Sequence, residues 1–221
     1  MDNELKSSVL KTGTSIVGIV CKDGVVMAAD RKATAGSIVI SKNTKKLIPI
    51  NNYLAVAIAG NASDAEMLIK IIRAELKLKQ LRTRIRPTIK EAANLIGSIS
   101  YHSIRQFKTI PTIVGTLAGG INPDGTTELF TIEPAGGAYK VDDYDANFSS
   151  GMPFILGFLE RNWKKSTSVK EGIELAIEAL KSSTQRDTAS GHGIDVFTIT
   201  KDGIIQVVEH EIEPTYKERK K

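Results

Sequence analysis

The chain has 221 residues, 41% of them hydrophobic and 25% charged, which excludes wholesale disorder and favours one domain with one sizeable core. Its one cysteine excludes an internal disulfide framework, and no apolar run reaches the roughly 18 residues of a membrane span. The formal net charge of +5 permits an acidic or nucleic-acid partner without arguing for one.

Met1 to Thr12 are polar and mixed, with Leu5, Val9 and Leu10 as the only large apolar side chains. No long apolar stretch makes this a secretory signal, so it reads as a flexible lead or a removable propeptide. The matches to Asn-x-Ser/Thr at Asn61 and Asn147 therefore carry no weight. Ser15 to Cys21 and Val25 to Ala29 flank Asp23-Gly24 and predict a hairpin. A second pair is expected from Ser37 to Ser41 and the long run Leu47 to Ala59, around a polar turn at Asn43-Thr44. Both runs are nearly continuous in apolar residues, as in strands covered on both faces.

Ser63-x-x-Glu66 reads as a capping box opening a helix with Leu68, Ile71, Ile72 and Leu76 on one face. Pro87-Thr88-x-x-Glu91 opens another. Strands are predicted at Thr112–Ala118, Thr127–Ile132 and Gly137–Val141, then a helix over Ser150–Trp163. Ser168-x-x-Glu171 is a further capping box, before Ile173, Ala176, Ile177 and Leu180. Asp195 to Thr200 and Ile204 to Val208 close the fold as a hairpin around Lys201-Asp202-Gly203. Helices arrive in pairs between groups of strands rather than one per strand. This argues against a parallel βαβ sheet and for an α+β fold, two sheets between two helical layers. The tail Tyr216–Lys221 is charged and expected to be mobile.

The charge is unevenly placed. Residues 70–90 hold Lys70, Arg73, Lys77, Lys79, Arg82, Arg84, Arg86 and Lys90 against the single acid Glu75, a local +7, which leaves the remainder at −2. Single-strand nucleic-acid binders interleave aromatic residues with such charges, and this window has none, so no nucleic-acid partner is expected.

Common catalytic motifs are missing. There is no Gly-x4-Gly-Lys-Ser/Thr phosphate loop and no Gly-x-Ser-x-Gly elbow. Gly191-His192-Gly193 is a lone fragment of a dinucleotide fingerprint ahead of a strand. His102, His192, His210 and Cys21 have no chelating spacing, so neither metal nor cofactor is expected. Cys21 reads as a buried, inert thiol in mid-strand.

What remains is Gly13-Thr14, where the lead meets the fold. A threonine there has an ordinary reading as a strand former. Cleavage after Gly13 would instead free an α-amine with an ordinary pKa near 7.7–8.0, able to accept the Thr14 hydroxyl proton. Asp30 and Lys46 offer a charge pair that two hairpins could return to Thr14.

At this point the chain resembles a β-subunit of the 20S proteasome, most like the archaeal type, from Gly13 to about Glu213. The motifs carrying the resemblance are Gly13-Thr14, Ala28-Ala29-Asp30-Arg31-Lys32-Ala33-Thr34, Lys45-Lys46-Leu47, Ile58-Ala59-Gly60, Ser149-Ser150-Gly151 and Arg186-Asp187-x-x-Ser190-Gly191. The resemblance implies a four-layer αββα sandwich of the N-terminal-nucleophile hydrolases, with two antiparallel sheets between the helical layers. It implies a threonine endopeptidase of the proteasome, with residues 1–13 an autocatalytically removed propeptide and 14–221 one catalytic domain. Thr14 would be the nucleophile, Lys46 the cation tuning it, Asp30 the partner of Lys46, and Gly60 the oxyanion donor. Ser150, Asp187 and Ser190 would surround the Thr14 amine. Thr34 would bind substrate backbone, and Ala33, Ile58 and Ala62 would line a pocket preferring hydrophobic residues before the scissile bond.

By the same resemblance the partners would be other β-subunits in a seven-membered ring, α-subunit rings, an ATP-dependent unfoldase cap and unfolded protein substrates. The setting would be the cytoplasm, with no membrane or nucleic acid involved. The helices of the basic window would meet acidic surface on neighbouring subunits. Taken singly, each residue has a plain reading: an exposed ion pair at Asp30 and Lys46, a strand end at Gly60, a helix cap at Ser150, a turn at Asp187-x-x-Ser190. Jointly they fill the roles of a threonine mechanism. The departure Thr14-Ser15-Ile16, where many active subunits continue with threonines, is expected to touch no catalytic atom. Thr12 is a decoy, since the preceding glycine and the spacing select Thr14. A non-catalytic β-subunit is the main alternative, although such chains typically lose the nucleophile, the lysine or the glycine. The bacterial two-tier relatives have shorter chains, and α-subunits carry an N-terminal helical extension that this lead does not resemble.

Overall fold

A computed structural model of the chain describes residues 13–107 and 111–211. The lead before Gly13, the decoy Thr12 and the tail Tyr216–Lys221 lie outside the described residues. Two five-stranded antiparallel sheets form the centre. The first contains β1 (Ile16–Cys21), β2 (Gly24–Asp30), β10 (Tyr144–Asp145), β11 (Gly193–Thr200) and β12 (Gly203–Glu211), in the order β10-β1-β2-β11-β12. The second contains β5 (Leu47–Pro49), β6 (Leu54–Gly60), β7 (Val114–Ile121), β8 (Thr127–Ile132) and β9 (Ala138–Val141), in sequential order. β3 (Ala33–Ala35) and β4 (Ile38–Ser41) pair separately as a small hairpin.

Period-two alternation sorts the strand residues into layers. Val25, Met27 and Ala29 of β2 pack between the sheets with Ala55, Ala57 and Ala59 of β6. Val26 and Ala28 of β2 face the opposite way, against α3 (Met152–Asn162) and α4 (Val169–Thr184). Leu54, Val56 and Ile58 of β6 face α1 (Ala62–Thr83) and α2 (Ile89–Arg105). Both faces of each sheet are therefore covered, which is why the central strands lack polar alternation. The sheets approach closely: a Cβ on Gly18 would sit 2.7 Å from Leu129 Cδ2 of the facing sheet. The expected four-layer sandwich is the observed one.

Several local expectations differ from the structure. The helix over Ala62–Thr83 is capped by Asn61, not Ser63: the Asn61 side chain accepts from Ser63 N (3.0 Å) and Asp64 N (3.2 Å). Glu66 pairs instead with Lys70 at 2.7 Å. The run Leu47–Gly60 is two strands, because Asn51 Oδ1 accepts from Tyr53 N (3.0 Å) and Leu54 N (2.9 Å) and turns the chain between them. The segment from Ser37 to Ser41 pairs with β3, not with the following run, and exposes Ile38, Val39 and Ile40. Ser150 is not a helix cap, since Gly151 holds that position. The capping boxes Thr88–Glu91 and Ser168–Glu171 are both present. The basic window is absorbed in part: Arg73 Nη2 bonds the Pro49 carbonyl (2.7 Å), Lys79 pairs with Glu91 (2.8 Å), and Arg86 stacks on Tyr53. Among the described residues, no helix is long and apolar enough to cross a membrane.

One ionic cluster, buried at Arg31 and Asp195 and exposed at Glu209 and Glu211, ties the end of β2 to the closing hairpin. Arg31, with no exposed side-chain surface, binds Asp195 through Nε (3.0 Å) and Nη2, and reaches Glu209 (2.8 Å) and Glu211 (2.9 Å) on β12. Removing the guanidinium takes the counter-ion from the almost wholly buried Asp195 carboxylate, which keeps a bond from Gln206 Nε2 at 2.9 Å. Arg31→Ala is therefore expected to cost about 3–5 kcal/mol. At about 2–4 °C per kcal/mol, that is a fall of roughly 10 °C in Tm, checked by differential scanning calorimetry.

Candidate active site

Thr14 lies two residues before the first residue of β1 and is 5% exposed. Its surroundings are built from four chain segments. The end of β2 supplies Asp30, a carboxylate with no exposed surface. Oδ1 of Asp30 accepts from Ser15 N (2.9 Å) and Lys46 Nζ (2.6 Å). Its Oδ2 accepts from Lys32 N (3.0 Å) and Gly191 N (2.8 Å). Three backbone donors and one ammonium thus compensate a charge that burial alone would make very costly.

Lys46 precedes β5 and is held in register by the bond from Ile58 N to its carbonyl (3.0 Å). Its ammonium is 7% exposed and lies 3.5 Å from the Gly13 carbonyl oxygen, on which the Thr14 hydroxyl also donates at 2.6 Å. Burial pushes the Lys46 pKa below the ordinary lysine range, and the Asp30 charge and hydrogen bond oppose that shift without cancelling it. The Asp30–Lys46 pair is therefore a buried one, not an exposed surface pair.

On the opposite side, Thr14 N donates to Ser150 Oγ at 2.9 Å. Ser150 Oγ donates to Asp187 Oδ2 at 2.6 Å, and Ser190 Oγ donates to the same oxygen. Among these three, only Ser150 touches Thr14 directly. Ser15 was expected to be a bystander, and that expectation is corrected: its hydroxyl bonds Ser190 Oγ at 2.7 Å and also Ser183 Oγ on α4. A continuous line of hydroxyls and one carboxylate therefore runs from a helix face to the Thr14 nitrogen. Sequence reasoning missed Ser183, which has no motif around it and becomes relevant only once α4 packs on β1.

A cavity of about 320 Å³ opens beside Thr14. Ala33, Ile58 and Ala62 line it, joined by Ile40, Ile48 and Ile69. Lys45 and Glu66 also reach its wall, so the lining is mainly apolar rather than wholly uncharged. Gly60 lies on the same cavity at φ +131, where a Cβ would overlap the Ile113 carbonyl, so only glycine fits. Thr34 Oγ1 accepts from Gly13 N at 3.3 Å. Cys21 is the last residue of β1 rather than a mid-strand one. Burial pushes its thiol up to about 12, with Asp23 and Glu171 adding to the effect, so it is an unreactive core group. Among the described residues, no group of three or more His, Cys, Asp or Glu is placed to hold a metal ion.

Comparison with known proteins decides the family. The family model for the proteasome subunit matches residues 10–199. The chain belongs to the proteasome subunit family. It is 40% identical to the proteasome subunit beta of Ferroglobus placidus, across 91% of this chain and 93% of the relative. It is 40% identical to that of Thermoplasma acidophilum, across 92% and 93%, and 39% identical to that of Archaeoglobus profundus, across 96% of both. As a proteasome-family chain it places all seven residues singled out for chemistry within one neighbourhood at Thr14 or on the adjoining cavity.

The shifted Lys46 has a consequence for stability. Its folded pKa lies below the unfolded value near 10.4, so the unfolded chain binds the extra proton between the two. The contribution is complete above the unfolded pKa and is lost as pH falls through the folded one. Denaturant melts of the wild type should thus gain stability with rising pH in that alkaline window relative to Lys46→Gln. Parallel slopes in the two proteins would refute the shift.

Proposed function

We propose that this chain is a threonine endopeptidase subunit of a proteasome core particle, made active by cleavage between Gly13 and Thr14. The observation that carries the reading is convergence on one bond. The Thr14 hydroxyl and the Lys46 ammonium both face the carbonyl oxygen of Gly13, at 2.6 and 3.5 Å. A nucleophile adjoining its own peptide carbonyl beside a buried cation is suited to an N-to-O acyl shift. In that step Oγ bonds to the Gly13 carbonyl carbon, the C–N bond breaks, and the nitrogen takes the hydroxyl proton. Water then hydrolyses the ester, releasing residues 1–13 and a free Thr14 amine.

That amine supplies the general base for substrates. It accepts the Oγ proton as Oγ attacks the scissile carbonyl, and passes it to the departing amine. Gly60 N–H would stabilise the oxyanion, and Lys46 would favour the developing negative charge at Oγ. Ser150, Asp187 and Ser190 would orient the amine. Hydrolysis of the acyl ester by water, deprotonated by the same amine, returns the free enzyme. Thr34, which receives the Gly13 N–H, would receive the corresponding substrate N–H, with the substrate lying as an added strand.

The apolar lining at Ala33, Ile58 and Ala62 supports preference for hydrophobic residues before the scissile bond. The chain would act in the cytoplasm within a seven-membered β-ring between α-rings, with unfolded protein delivered by an ATP-dependent cap. Intact mass and peptidase assay of the assembled particle test the mechanism: wild type should lose Met1–Gly13 and turn over peptide, and Thr14→Ala should do neither. Processing of Thr14→Ala at Gly13 would refute self-cleavage. Fluorogenic peptides ending in Leu or Tyr should be cleaved faster than those ending in Arg, and the reverse order would overturn the pocket assignment.

A further inference from the structure

Ser150 is the one side chain that touches the Thr14 nitrogen directly through the expected serine and aspartate group, yet it sits on an irregular segment between β10 and α3. Something must hold that segment, because a hydroxyl displaced by an ångström no longer meets the amine. From the helix end, the N–H of its cap Gly151 ties the segment to the Thr14 carbonyl at 3.2 Å, and no side chain there adds a second tie. The only loop side chain anchored in the other sheet is that of Asn147, three residues before Ser150.

Asn147 is 7% exposed and has φ +41, a left-handed conformation that asparagine tolerates better than most residues. Its Nδ2 donates to the Thr116 carbonyl (2.7 Å), the Ile132 carbonyl (3.0 Å) and Thr131 Oγ1 (3.0 Å). These acceptors lie on β7 and β8, where Thr116 and Ile132 are directly paired. Its Oδ1 accepts from Phe148 N. Carbonyls on one side and an N–H on the other fix which end of the amide is which. The approach depends on Gly115: a Cβ there would lie 2.5 Å from Asn147 Oδ1 and 2.6 Å from Phe148 Cβ. From this anchor the chain turns through Ser149 N to the Asn147 carbonyl (2.8 Å) and Ser149 Oγ to the Ala146 carbonyl (2.7 Å), then delivers Ser150.

We propose that Asn147 is a positioning residue for the reaction: it ties the Ser150 loop to the second sheet, and so sets the Ser150 hydroxyl against the Thr14 nitrogen. This rests on the threonine-nucleophile reading. Asn147 never touches the reacting atoms, and it acts only through Ser150. The role accounts for three features together: a non-glycine residue in the left-handed region, a buried amide with every polar atom engaged, and a glycine that clears its path.

The test uses the full chain assembled with its cognate subunits, comparing wild type, Asn147→Gly, Ser150→Ala, the double variant and Thr14→Ala. Asn147→Gly keeps the left-handed backbone and removes only the anchor. It is expected to lower kcat about 10–100-fold, the scale of a small misplacement at a reacting group, with KM changed less than about threefold. The acid limb of kcat/KM should move, because Ser150 no longer receives the Thr14 N–H. The double variant should be no slower than Ser150→Ala, since both lose the same contact. Unchanged kcat and pH profile in Asn147→Gly, or losses that multiply in the double variant, would overturn the proposal. If Asn147→Gly does not assemble, Gly115→Ala sets a Cβ 2.5 Å from Asn147 Oδ1, displaces the anchor and should still lower kcat about tenfold by the same misplacement, and an unchanged kcat would overturn it. Turnover that survives Thr14→Ala would refute the nucleophile reading itself. Turnover that needs Thr14 and Ser150 but ignores Asn147 would refute only this inference.

Discussion

The buried Asp30 carboxylate is the constraint on which the site depends. It ends β2 with no exposed surface, and four donors converge on it from the start of β1, the turn after β2, the approach to β5 and the approach to β11. A carboxylate in such a place is tolerable only when fully satisfied, so every one of those segments is committed to a position. Thr14 is placed by the first of these bonds, and Lys46 by the one from its own ammonium. The geometry at Gly13 and Thr14 is in this sense a by-product of neutralising one buried charge.

The fold makes the convergence possible. Each sheet has a helical layer on its outer face and the other sheet on its inner face, so the interior can hold charged groups well away from water. The cost of burying Lys46 shows in its lowered pKa, and its persistence as a partner of Asp30 shows what offsets that cost. Arg31, one residue after Asp30, makes a second buried pair with Asp195 and reaches the exposed Glu209 and Glu211. The end of β2 is thereby tied toward Thr14 on one side and toward the closing hairpin on the other. Two neighbouring residues of opposite charge hold the edge of the site from both directions.

The two faces of Thr14 are built differently. The hydroxyl side is ionic and assembled from strand ends. The nitrogen side is a line of neutral hydroxyls, Ser183, Ser15, Ser190 and Ser150, interrupted by one carboxylate, Asp187, and it is assembled from loops and a helix. Loops lack a ladder to hold them in register, so the nitrogen side needs side-chain anchors. Asn147, reaching across to β7 and β8, is the anchor of the Ser150 loop. A sequence pattern that looks like a glycosylation acceptor is thus engaged inside the protein.

Much was legible in the sequence. Apolar runs broken by Asp-Gly pairs located the hairpins, and two of three capping boxes located helix starts. Paired helices between strand groups led to the layered fold, because helix and strand periodicities reflect burial on one face or two. Thr14, Asp30, Lys46 and Gly60 stood out by residue type and spacing within a resemblance. What failed was local and had local causes: Asn61 outcompeted Ser63 as a cap, and Asn51 folded one apolar run into two strands. Only the tertiary structure added Ser15 and Ser183 to the hydroxyls near Thr14. Ser15 and Ser183 are common residue types without a motif, the one pattern at Asn147 points to a different use, and the three are separated along the chain by the helices and strands that bring them together. Sequence by itself determined most of the elements, since those rest on periodicity and turn chemistry, and it offered Asp30 and Lys46 as a charge pair through their spacing and the resemblance. The long-range bonds from Ser15 to Ser183 and from Asn147 to β7 and β8 depend on how layers and loops pack, and no short-range pattern encodes that.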